Sequence, residues 1–194
     1  IGEFVDVFIY FDSEDRIVAS TDLPYAMAGE FAYLQVISTT NFGAFLDWGL
    51  PKDLLLPFRE QKAPVVANRF YVVYVYVDSR SNRIVATTKV ERYLNLEEPI
   101  FQSGDEVSLL IFEKTDLGFK AIVNNTHTGV LYFNEVFKPL EIGQKIQGFI
   151  KKIRSDGKID LAIEQLGYQK VDPIAEDLLQ RLKDSGGFLS LNDN

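Results

Sequence analysis

In the run Asn41-Phe42-Gly43-Ala44-Phe45-Leu46 two phenyl rings flank a glycine-alanine step. A pair of aromatic faces on a strand surface suits stacking on nucleobases. Side chains alternate along a strand, so residues three apart ordinarily point to opposite faces. A one-residue bulge at Gly43 would place Phe42 and Phe45 on one face and turn Ala44 and Leu46 into a core. Two readings fit these residue types: the rings stack on bases, or both belong to the core. In the same segment Lys52, Arg59 and Arg83 are the candidate phosphate contacts.

Other chemistry is sparse. With no cysteine and one histidine the chain has no disulfide, no thiolate nucleophile and no zinc site of the usual Cys/His kind. His127 lies in the polar stretch Asn124-Asn125-Thr126-His127-Thr128-Gly129 and reads as a solvent-facing loop residue. Asp12, Glu14 and Asp15 crowd one turn without the ligand order of a calcium loop, so a solvated hairpin tip is expected. Phosphate loops and Ser/His/Asp sets are absent as patterns. Neither catalysis, a metal nor a cofactor is expected, which sets a carboxylate-dependent nuclease well behind two binding functions. Trp48 reads as core or inter-barrel packing.

The net charge of −8 and pI near 4.7 argue against a generic nucleic-acid binder. The charge is uneven, however. Residues 1–27 hold one base and six acids, 28–95 hold eight bases and six acids, and 104–166 hold eight bases and nine acids. A local basic patch therefore stays open in the middle segment. No apolar run approaches the roughly 18 residues of a membrane span, and the N-terminus lacks signal-peptide flanks. The reading is a cytoplasmic protein without a membrane partner.

The elements that must carry these residues come from a repeat. A long apolar strand, a polar turn and a second strand occur at Gly2–Thr21, Arg69–Thr88 and Gln144–Ala162. Gly29 and Gly43 recur as Gly104 and Gly118, each 75 residues on. Strands are expected at 30–39, 43–48, 53–57, 69–77 and 83–88, then at 105–114, 118–124, 129–133, 145–153 and 158–163. Five strands in about 65 residues suit a small Greek-key barrel, the OB-fold. The fold class is thus all-β, with tandem five-stranded OB-fold barrels at 28–95 and 104–166 and a short C-terminal helix. Residues 1–25 read as the C-terminal half of a truncated first barrel. A lone hairpin is marginal in water, so it must pack on a neighbour through Phe8 and Tyr10 or self-associate with another chain. Asp172-Pro173 caps an expected helix over 173–184, within a terminal unit at 172–194.

Asn41-Phe42-Gly43-Ala44-Phe45-Leu46, Asp53-Leu54-Leu55-Leu56-Pro57 and Asn82-Arg83-Ile84-Val85-Ala86-Thr87 together resemble the S1 RNA-binding domain. Leu50-Pro51-Lys52-Asp53-Leu54-Leu55-Leu56-Pro57-Phe58 and Gly118–Asn125 leading to Gly129-Val130-Leu131-Tyr132 resemble the bacterial conserved virulence factor B family. That resemblance implies several S1-like domains, a winged helix beginning at 172–194, non-catalytic binding of single-stranded RNA or DNA, and a regulatory role linked to virulence. It carries the base-stacking role to Phe42 and Phe45; the family's third contact, commonly a histidine on the next strand, falls here on Leu56 or Pro57, a departure from the pattern. In the next unit the ring positions become Leu117 and Lys120 and the third position Tyr132. There Lys120, Lys151, Lys152 and Arg154 either track a backbone or form a solvated face. The competing reading is a protein-interaction scaffold of OB barrels, which the acidic charge favours.

Overall fold

The computed structural model describes residues 2, 4–12, 14, 16–136 and 138–164. The helix expected over 173–184 and the unit at 172–194 lie outside the described residues. Strands β1 (Phe8–Phe11) and β2 (Ile17–Ser20) form an antiparallel hairpin. A middle sheet follows from β3 (Phe31–Thr39), β4 (Gly43–Leu46), β5 (Leu54–Pro57), β6 (Phe70–Asp78) and β7 (Arg83–Thr87), in the order β5-β4-β3-β6-β7. The second five are β8 (Glu106–Lys114), β9 (Gly118–Val123), β10 (His127–Tyr132), β11 (Lys145–Ile153) and β12 (Ile159–Ala162). Parallel pairing of β10 with β12 closes this second set into a barrel. The middle set keeps the same strand order without that closing ladder. The protein is therefore all-β, with two closed or nearly closed five-stranded barrels of OB type.

Alternation along each strand explains both cores. Leu34 and Val36 of β3, Leu46 of β4, Leu54 and Leu56 of β5, and Val73 and Val75 of β6 are buried in the middle barrel. Leu109, Ile111, Leu131, Ile150, Ile159 and Leu161 fill the other. Each such side chain contributes about 1.5–3 kcal/mol by burial. Ala44 and Leu46 do point inward, but the bulge lies elsewhere. Val36 pairs Leu46 and Ser38 pairs Phe45, so Ile37 of β3 is the extra residue. Its equivalent Phe112 is bulged between Ile111 and Glu113 of β8. Gly43 instead serves a close approach, since a Cβ there would lie 2.5 Å from the Leu56 carbonyl oxygen of the neighbouring strand.

Outward residues of the same strands join the units. The Phe8 ring meets Trp48 edge-on at 5.8 Å, and Tyr10 is buried in the middle barrel's cluster. Phe31, Val72, Val90 and Leu94 of the middle unit share a second apolar cluster with Leu110 and Ile122 of the next. Tyr74 stacks on Tyr93 at 4.0 Å beside this seam. Asn125, whose φ of 62° suits its short polar side chain, fastens it. Its Oδ1 accepts from Phe31 N–H at 2.9 Å and its Nδ2 donates to the Gly29 carbonyl at 2.9 Å.

His127 corrects the sequence reading. It starts β10, is only 7% exposed, and packs its ring edge-on to Phe101. Its Nε2–H donates to the Glu97 carbonyl at 2.9 Å, and its Nδ1 lies 2.9 Å from the Thr126 hydroxyl. It thus pins the inter-unit segment to the barrel. The polar composition around it signalled a loop, but the strand begins two residues earlier than the composition suggests.

Burial first, and then the nearby Glu60 carboxylate, push the Tyr76 hydroxyl up to about 12. The folded state therefore favours the neutral phenol more strongly than the unfolded chain, whose tyrosines ionise near 10. That stabilisation is complete below pH 10 and is lost as pH rises toward 12. Chemical denaturation across pH 9 to 12 is expected to show this decline, and Tyr76→Phe is expected to flatten it.

Candidate nucleic-acid interface

The bend at Asn41 and Phe42 precedes β4, which releases Phe42 from the strand's alternation and lets it swing beside Phe45. The two ring centroids lie 6.0 Å apart at 87°, an edge-to-face pair. Phe42 is 60% exposed and Phe45 half-buried, so neither is a core residue. In register with Phe45 stands Leu55 of β5, half-buried on the same outer surface. Leu56, at the place of the family's histidine, is fully buried, because it and Ala44 are paired on the inner face. Phe58 was missed by sequence reasoning. It is 61% exposed, and its backbone N–H donates to the Phe42 carbonyl at 2.9 Å. An aromatic directly after a strand-ending proline is the signal that could have found it.

The ring pair opens onto a cavity of about 420 Å³ between the middle barrel and the β1–β2 hairpin. Phe42, Phe45 and Leu55 line one side, Ile9 and Ile17 the other, and Arg83 stands at the wall. Asp53 also lines it, and burial, followed by the charge of Asp47, raises its carboxyl above the usual range.

The basic residues are placed unequally. Lys52 Nζ donates to the carbonyls of Phe11 at 2.6 Å and Asp12 at 2.7 Å, which clasps the hairpin to the barrel. The Arg59 guanidinium faces Asp78 at 3.5 Å and Glu60 at 3.8 Å. Hydrogen bonds from Ser81 first, with the Arg59 charge behind them, hold the Asp78 carboxyl below the usual range. Arg83 begins β7, exposed, in register with Asp78.

In the other barrel the two ring positions hold no aromatics, and Phe133, the equivalent of Phe58, instead packs edge-on to buried Phe119 at 5.4 Å. Leu117 is exposed, and Lys120 is paired with Glu113 at 2.6 Å. The Tyr132 hydroxyl bonds Asp160 at 3.3 Å and Arg154, whose guanidinium also lies 5.8 Å over the tyrosine ring. Lys151 pairs with Glu135, and exposed Lys152 lies opposite Asp160 in the ladder. Lys120, Lys151 and Arg154 each face a carboxylate on this surface.

Strand order places both five-stranded units in the OB-fold class. Residues 1–22 and 28–89 match the S1 domain family, in agreement with the repeat between the hairpin and the middle barrel. The chain is homologous to the uncharacterized protein YitL of Bacillus subtilis, at 25% identity over 97% of this chain and 66% of that one. It is likewise homologous to conserved virulence factor B of Staphylococcus saprophyticus, at 20% identity over 100% of this chain and 67% of that one. The chain thus spans about two-thirds of the length of these curated relatives. Among solved structures, a multidomain protein with nucleic acid binding domains from Streptococcus pneumoniae matches with a TM-score of 0.45 and 19% identity, over 99% of this chain and 71% of that one.

Because Lys52 joins hairpin to barrel through two charge-assisted hydrogen bonds, Lys52→Ala is expected to loosen the hairpin without unfolding the barrels. Hydrogen exchange of the β1–β2 amides should accelerate roughly tenfold or more, with the β8–β12 amides unchanged. Unchanged exchange in the hairpin would show that ring packing alone holds it.

Proposed function

We propose that this protein binds single-stranded RNA, without catalysis, at the Phe42–Phe45 platform of the middle barrel. The observation that carries the reading is the exposed, mutually braced ring pair at the position where S1 domains carry their stacking aromatics. Phe58 and Leu55 extend its apolar surface, and Arg83 at the cavity wall is the leading phosphate contact, with Arg59, which already faces Asp78 and Glu60, contributing less. Lys52 serves the site indirectly by holding the hairpin that forms the opposite cavity wall. Lys120 and Lys151 of the other barrel, each facing a carboxylate, add little attraction for a phosphate chain. Binding is accordingly weak and sequence-tolerant. A cytoplasmic regulatory role is the function that kinship with proteins named as virulence factors supports best.

A protein-interaction scaffold is the second reading, favoured by the net charge of −8. Fluorescence anisotropy with oligouridylate and oligothymidylate at two salt concentrations separates the two and also distinguishes RNA from DNA. Stacking on an aromatic contributes about 1–3 kcal/mol per base. Phe42→Ala combined with Phe45→Ala is therefore expected to weaken binding at least tenfold at both salt concentrations, with little loss of melting temperature. Arg83→Ala is expected mainly to flatten the salt dependence. A folded double variant with unchanged affinity would remove the platform from the binding site.

A further inference from the structure

The outer face of the middle barrel does not end at Phe45. On β3, Ser38 stands abreast of Phe45, with bulged Ile37 beside it, 44% exposed. Two residues back, Gln35 stands abreast of Phe70 of β6, and Tyr33 lies two residues further along the same face. The Tyr33 and Phe70 rings are 5.3 Å apart and inclined by 33°, with 37% and 49% of their surfaces exposed. An aromatic pair left in water on a sheet face is normally covered or used. This pair also sits at the mouth of a groove of about 450 Å³ between the two barrels, lined further by Phe112, Ile142 and Lys62.

We propose that Tyr33 and Phe70 form a second base-stacking subsite, which takes the bases of a strand that leaves the Phe42–Phe45 platform across β3. This rests on the reading of that platform as an RNA site and extends it from one barrel face to the junction of two. Three features support a nucleic-acid strand as the occupant. The rings are continuous with the first platform on one sheet face, through Ile37 and Gln35. Exposed Arg69, which immediately precedes Phe70 and whose carbonyl accepts from Val36 N–H, is the cation nearest in sequence to this ring pair and the candidate phosphate contact. The carboxylates at the groove are neutralised: Lys62 pairs with Glu91 at 2.5 Å and Glu113 at 3.6 Å, and Lys120 pairs with Glu113 at 2.6 Å. Tyr33 is moreover buttressed from the second barrel. Its ring packs where a Cβ on Gly143 would stand, so docking of the barrels fixes the subsite's geometry.

The test compares oligouridylates of about four and about ten nucleotides, a span typical of OB-fold sites. With the full chain, the longer oligonucleotide is expected to bind more tightly. Tyr33→Ser with Phe70→Ser should reduce its affinity at least fivefold, to near that of the shorter one, while leaving the shorter one's affinity unchanged. Phe70→Leu, which keeps apolar bulk and guards against misfolding, should reproduce part of the loss, and Arg69→Ala should lower the salt slope only for the longer oligonucleotide. Unchanged affinity of the serine variant for the longer oligonucleotide overturns the second subsite and leaves the first intact. Absence of binding by the unaltered chain overturns both. Conversion of a dimer to a monomer by the serine variant, seen in sedimentation, would assign the face to a second copy of the chain and likewise overturn the proposal.

Discussion

The two-sided use of β6 is the constraint on which the rest of the structure depends. Its inward residues, Val73 and Val75, close the middle barrel, while its outward residues, Val72 and Tyr74, join the seam to the next one. One strand therefore both completes a fold and builds the array. The pleat allows this because successive side chains leave the backbone on opposite faces. The hairpin repeats the arrangement with Tyr10 and Phe8 against the middle barrel and Trp48. A change in β6 register by one residue would exchange the two sets and dismantle barrel and seam together.

Polar groups fix what the apolar seam leaves adjustable. Hydrophobic contact is non-directional, so Leu110 and Ile122 alone would allow the barrels to slide. Asn125, bonded at both ends of its amide, and Asn95, whose side chain accepts from Thr128 N–H at 2.8 Å, set the orientation. His127 adds a third fastening at Glu97. Each of these takes a turn or linker segment and ties it to a strand edge. The groove beside Tyr33 and Phe70 has a defined shape for that reason.

The two barrels share an architecture and differ in surface chemistry. Gly43 and Gly118 occupy equivalent close approaches to the neighbouring strand's backbone, and Ile37 and Phe112 are equivalent bulges. Yet the ring positions are Phe42 and Phe45 in one and Leu117 and Lys120 in the other. Aromatic faces meet bases of any sequence, whereas a lysine already paired with a carboxylate offers a strand little. The fold tolerates both sets because these side chains stand outside the core, where their identity costs the barrel almost nothing.

Sequence alone determined the all-β class, the strand positions to within one or two residues, and the likeness of the three hairpins, because apolar alternation and turn residues are local signals. It also brought out Phe42 and Phe45, since Ala44 and Leu46 had to point inward. It misplaced the bulge and mistook His127 for a loop residue, since both depend on which backbone lies alongside. Gly43 looked like a bulge former, but its reason is the carbonyl of Leu56, thirteen positions away and adjacent only once β4 pairs with β5. Likewise, nothing in residue types could show that Lys52 is occupied by the carbonyls of Phe11 and Asp12, or that Tyr33 and Phe70 meet across a ladder. Those are non-local pairings, settled by register and barrel docking, and only the tertiary structure decides them.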